Sequence, residues 1–161
     1  MAAALAAIAA PLAAQEHGHE PMMAAHADSD SAFAAMQARG RTVMGVDQYT
    51  SRHVFESLPD GGRIELQRTT DDSAGVAQIR RHLAEIADAF GRGDFSAPAM
   101  VHARTVPGAA VMAARRASIS YTTSRLPRGG QLRITTRDPD ALAAVHAFLA
   151  FQRRDHRTGK P

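Results

Sequence analysis

The stretch Leu58-Pro59-Asp60-Gly61-Gly62-Arg63-Ile64-Glu65-Leu66 returns as Leu126-Pro127-Arg128-Gly129-Gly130-Gln131-Leu132-Arg133-Ile134, an offset of 68 residues. Each copy follows a run of alternating residues and precedes an apolar helical pattern that contains one histidine. Pro presets φ and Gly accepts positive φ, so Pro and Gly-Gly between alternating runs mark a hairpin. The repeating unit is therefore strand–turn–strand–helix, over about residues 51–93 and 118–155. The fold expected is α+β: a duplicated ββα unit giving a four-stranded, mainly antiparallel sheet with two helices on one face.

A four-residue loop over 59–62 pairs Leu58 with Arg63 and Phe55 with Leu66. Period-two alternation then turns His53, Phe55, Ile64 and Leu66 inward. The same arithmetic turns Ile119, Tyr121 and Thr123 inward with Leu132 and Ile134, and subtracting 68 superposes Tyr121 on His53. Ile79, Leu83, Ile86 and Phe90 form a stripe at helical spacing, predicting a helix over 76–90 with His82 on the stripe's border. Asp138-Pro139 opens a second helix striped by Leu142, Val145 and Leu149, with His146 on its border. Short accessory helices are expected over 31–39, stopped by Gly40, and over 107–117 with Val111 buried. Between them Pro98 and Pro107 break the chain near His102.

Outside this domain (31–157) the composition changes. Residues 1–14 are uncharged and rich in Ala, Leu and Ile, too short to span a bilayer and suited to a signal peptide cleaved near Gln15. Residues 15–30 lack apolar periodicity and read as a disordered linker, whose His17, His19, Met22, Met23 and His26 are imidazole and thioether ligands. The polar end from Gln152 onward reads as a fraying helix end, with residues 158–161 as a tail. Export to the periplasm, with no stable membrane span after cleavage, is the localisation expected.

Several chemistries are excluded. Cysteine is absent, so disulfides, thiolate metal sites and cysteine nucleophiles are too. The net charge of +3 comes from scattered arginines, Lys160 being the one lysine. Nucleic acid is not an expected partner, because Phe55 and Tyr121, the aromatics a sheet reader would expose, fall on the buried face. There is no P-loop, nucleophile elbow or zincin motif, and Asp71-Asp72 and Asp138/Asp140 sit where helix N-termini are expected, so capping explains them. What remains is a set of polar groups expected inside: His53, His82, His102 and His146, with Tyr121 opposite His53. Buried imidazoles must find partners. They read as a metal site suited to copper or another transition metal, as core histidines of a structural or interaction module, or as bases of a small-molecule enzyme. The first, in a non-catalytic binding protein, is the reading adopted.

Met44-Gly45-x-Asp47-Gln48, His53-x-Phe55, Asp60-Gly61-Gly62, Ile79-Arg80-x-His82-Leu83, Gly93-Asp94-Phe95, Val101-His102 and Pro107-Gly108 occur in that order. Gly129-Gly130, His146-x-Phe148-Leu149-x-Phe151-Gln152 and Asp155-His156-Arg157-Thr158-Gly159 follow. Over residues 43–159 this pattern resembles a family of small, functionally uncharacterised exported bacterial proteins. The resemblance implies a signal peptide and an envelope location, and makes His53, His82, His102 and His146 motif positions. It supplies no substrate.

Overall fold

The computed structural model describes residues 20–45 and 48–158. The first helix, α1 (Glu20–Met44), leads through a 3-10 turn to β1 (Ser51–Leu58) and β2 (Gly61–Arg68). Then come α2 (Ser73–Gly91), α3 (Ser96–His102) and α4 (Ala109–Ala114), followed by β3 (Ile119–Leu126), β4 (Gly129–Thr136) and α5 (Pro139–Asp155). The strands form one antiparallel sheet in the order β1-β2-β4-β3. The α+β duplication is therefore present.

Both hairpins turn on two residues rather than four, Pro59-Asp60 and Pro127-Arg128, so Leu58 pairs with Gly61 and Leu126 with Gly129. Phe55 consequently faces Ile64, and His53 faces Leu66. The shift of two residues leaves every side chain on its expected face, because side-chain direction repeats every two. The glycine pairs begin strands instead of making turns. Gly61 has φ +143°, and a Cβ there would stand 2.1 Å from the Ile134 carbonyl oxygen. Gly61 thus lets the two hairpins meet along the central β2–β4 seam.

Asp72 caps α2 by accepting from the Gly75 amide at 3.0 Å, and Asp138 caps α5 with Pro139 in the first turn. The α2 stripe is as expected, with Ile79, Leu83 and Phe90 buried. On α5 the buried face is Ala141, Val145, Phe148, Leu149 and Gln152, while Leu142 is half-buried. Each helix lies mainly over the other repeat's hairpin: α2 covers β3 and β4, and α5 covers β1 and β2. Missing side chains make the seats. A Cβ on Gly62 would come within 2.1 Å of Leu149, and one on Gly130 within 3.0 Å of Leu83. The opposite face of the sheet is polar, with Arg63 paired to Glu56 and, at 3.1 Å, to Glu65.

Four local expectations need correction. The helix expected over 31–39 is the middle of α1, which also covers the latter part of the supposed linker from Glu20. Alanine is the strongest helix former, and a glycine inside a helix costs only about 1 kcal/mol, so α1 runs through Gly40. It stops at Gly45, whose φ is +64° and whose amide donates to the Arg41 carbonyl. The segment expected as a helix over 107–117 is α4 with Met112 fully buried and Val111 exposed, because the helix starts after Gly108 at φ +82°. Pro98 does not break the chain but sits in the first turn of α3, where no amide donor is needed. The supposed frayed end is also ordered. Gln152 and His156 are buried, and Arg157 donates to Asp30 and Ser29 of α1. No helix among the described residues is long and apolar enough to cross a membrane.

Candidate functional site

Between the sheet and the helices, over β1 and β2, the core does not close. A cavity of about 80 Å³ remains, floored by Phe55, Ile64 and Leu66 and bounded by Ile86 of α2 and Val101 of α3. Val43 and Met44, at the end of α1, reach its rim. Its polar lining comprises His53 from β1, His82 from α2, His102 from the end of α3, and Gln152 and His156 from the end of α5, with Glu65 of β2 at its edge. The His156 ring is central. Its centroid lies 5.5 Å from that of His53, 5.1 Å from that of His102 and 5.2 Å from the Phe55 ring.

Burial sets the charge of these rings, since taking an imidazole out of water disfavours its protonated form. Burial lowers His53 to about 4, helped by His82 nearby. His156 is lowered to about 3, by burial first and then by repulsion from His53 and His102. Burial also lowers His82, with Glu85 opposing. At neutral pH, His53, His82 and His156 are uncharged, each ring having one donor and one acceptor nitrogen.

His102 is engaged at both ring nitrogens. Nδ1 meets the Asp155 carboxylate, and Nε2 lies 2.8 Å from the Gln152 side-chain amide, which presents its NH₂ to a bare nitrogen or its oxygen to a protonated one. The other oxygen of Asp155 is held by Arg104, whose guanidinium stacks 4.8 Å over the Phe151 ring. The ring of His102 thus stands as a fixed partition between the inner cavity and the surface.

This arrangement limits the chemistry. The Ser51 hydroxyl reaches His53 Nε2 at 3.3 Å, but the carboxylate that would complete a relay sits on His102 instead. Among the described residues, no nucleophile, base and carboxylate line up on one ring. For a metal, the ring spacings of 5.1 and 5.5 Å are compatible with imidazoles around one ion at bonds near 2.0–2.1 Å. As the rings stand, however, no three His, Asp or Glu side chains among the described residues converge to hold an ion.

Of the four core histidines expected to meet, three line the cavity and His146 does not. Its Nε2 lies 2.9 Å from the Leu58 carbonyl oxygen, at the hairpin end of β1. Ten residues separate His146 from His156 along α5, about 15 Å of helix rise. Tyr121 is also elsewhere, packed edge-on against Phe90 at 5.8 Å with its hydroxyl buried and unpaired. Repeat symmetry places His53 and Tyr121 alike, but β1 and β3 are the two outer strands, with β2 and β4 between them. His17 and His19 lie outside the described residues, as do the side chains of Met22, Met23 and His26. Missing from the expected set were His156, Gln152 and Asp155. Leu149, Gln152 and His156 continue the α5 stripe at spacings of three and four, a signal masked by their polarity.

Searches against family models, curated proteins and solved structures give no match to this chain.

Proposed function

We propose that this chain is an exported, non-catalytic binding protein whose ligand is small, apolar in body and tipped with a hydroxyl or N–H group. The observation carrying this reading is the cavity itself, apolar on its floor and walled by imidazoles that burial keeps neutral. Neutral imidazoles accept a hydrogen bond from such a group without a charge having to be matched. A cavity of about 150 Å³ takes benzene, so one of about 80 Å³ suits a molecule of a few heavy atoms or the end of a larger one. Propan-1-ol is therefore the probe, and propane, of similar bulk and without a donor, is the comparison. Propan-1-ol should shift the ring-nitrogen resonances of His53 and His156 saturably, and Leu66→Phe, which fills the floor, should abolish the shift. Unsaturable shifts, or shifts that survive Leu66→Phe, would sink the reading.

The 5.5 Å spacing of the His53 and His156 rings favours a second reading, in which a transition metal such as copper is held by these two imidazoles together with His82, which lines the same cavity. Zinc or copper titration of the wild type and of His156→Phe separates the two. A metal protein loses tight binding in the variant, and its affinity falls as pH drops and the ligand rings protonate. Export rests on the apolar run at residues 1–14, and intact-mass analysis of periplasmic protein, with an N-terminus near Gln15, checks it.

A further inference from the structure

On the outer side of His102 lies a second, larger concavity of about 320 Å³, between α1 and the ends of α3 and α5. Four arginines line it: Arg39, Arg104, Arg154 and Arg157. Among the described residues, two carboxylates answer them. Asp155 binds Arg104, and Asp30 binds Arg157 at 2.7 Å. Arg39 uses its Nε to donate to the Val101 carbonyl at 2.8 Å, and among the described residues no carboxylate pairs with it or with Arg154.

Three of these guanidiniums are held by aromatic rings. Arg157 stacks over Phe33 at 4.3 Å, while Arg104 and Arg154 both lie over Phe151, at 4.8 and 5.6 Å. Stacking fixes a guanidinium plane and leaves its N–H edges available for a planar or tetrahedral oxyanion. The C-termini of α3 and α5 end here and favour cations, which accounts for arginines nearby. It does not account for two guanidiniums brought onto one ring with a single carboxylate beside them. An anion bound between them relieves that repulsion.

We propose that this cleft is a binding site for a small molecule bearing phosphate or carboxylate groups, with Arg104 and Arg154 as its principal contacts and Arg39 as a third donor. The site is separate from the imidazole-walled cavity, and its occupant is anionic where that cavity's is neutral.

The test titrates the full chain in low-salt buffer at neutral pH with pyrophosphate and with citrate, followed by calorimetry and the arginine Nε–H resonances. Saturable binding with Kd below roughly 1 mM is expected. The shifts should centre on Arg104 and Arg154. Arg154→Gln, an exposed position, should keep the wild-type melting temperature and bind at least about tenfold more weakly. Arg154→Lys should recover only part of the loss, since an ammonium cannot replace the fork. Arg92→Gln removes the same charge at the far end of α2 and should bind as the wild type does. Pyrophosphate binding more tightly than citrate assigns a phosphate ligand, and the reverse order a carboxylate one. Equal weakening in Arg154→Gln and Arg92→Gln would reveal a general charge effect and overturn the site, as would binding that never saturates. Propan-1-ol binding in the inner cavity should be unchanged in Arg154→Gln, so the two sites can fail independently.

Discussion

The two hairpins share a turn phrase and a register, yet the layers above them differ. Over β3 and β4 the core is mainly apolar, with the Tyr121 hydroxyl and Thr136 as its buried polar groups. Phe90 stacks on Phe95 at 4.3 Å and meets Phe148 edge-on, while Leu132 and Ile134 are fully buried. Over β1 and β2, with Phe90 and Phe148 as the partition, the layer holds buried imidazoles around an open volume. At the positions equivalent by repeat, Tyr121 packs on Phe90, whereas His53 stands among Phe55 and His156. One half stabilises the sheet by filling space, and the other leaves space and lines it with groups that must stay uncharged. Duplication followed by unequal filling lets a small domain pack one half tightly and keep a volume open in the other.

The seam joining the halves should be the most sensitive place. Gly61→Val puts a β-branched residue at φ +143° and its Cβ against the Ile134 carbonyl, and should cost about 5 kcal/mol or prevent folding. Chemical denaturation checks this, and a loss near 1 kcal/mol would mean that the seam can separate. Next comes the contrast between fillings. Leu132→Ala, in the packed half, should cost about 4 kcal/mol, whereas Leu66→Ala, which enlarges a volume already open and partly polar, should cost about 2. Equal losses would remove the distinction between the halves.

Acid gives the finest resolution. Between pH 6.5 and about 4 the unfolded chain takes up protons on His53 and His156 that the folded chain refuses, so stability falls as pH falls. Each ring contributes up to about 1.4 kcal/mol per pH unit. Asp60 and Asp94, whose carboxyls are held low by Arg133 and by the Ser96 amide, add their losses only further down, below the ordinary aspartate range. Denaturation midpoints followed from pH 7 to pH 4.5 should therefore slope downward, and His156→Phe should flatten the slope. An unchanged slope in that variant would place the acid-sensitive groups outside the cavity.

Much of this was legible in the residues themselves. Alternation put His53, Phe55, Leu66, Leu132 and Ile134 on the buried face, and the result survived a mistaken loop length because a slip of two residues preserves parity. The α2 stripe and the Asp138 cap were equally plain, and the α2 cap was narrowed to Asp71 or Asp72, of which the structure uses Asp72, since each depends on neighbours within a turn of helix. Strand order was not legible. Pairing β2 with β4 sends β1 and β3 to opposite edges, so residues equivalent by repeat, such as His53 and Tyr121, end far apart. Nor could spacing say that α5 would lie over the first hairpin, leaving His146 at Leu58 and carrying His156 to His53. Polar residues at the end of α5 looked solvated because their partners, Asp30 and His102, are 127 and 53 positions away in sequence. Local periodicity decides which side of an element is buried. Which elements then meet is decided by contacts between distant parts of the chain, here by Gly62 beneath Leu149 and Gly130 beneath Leu83, and those contacts exist only once the chain has folded.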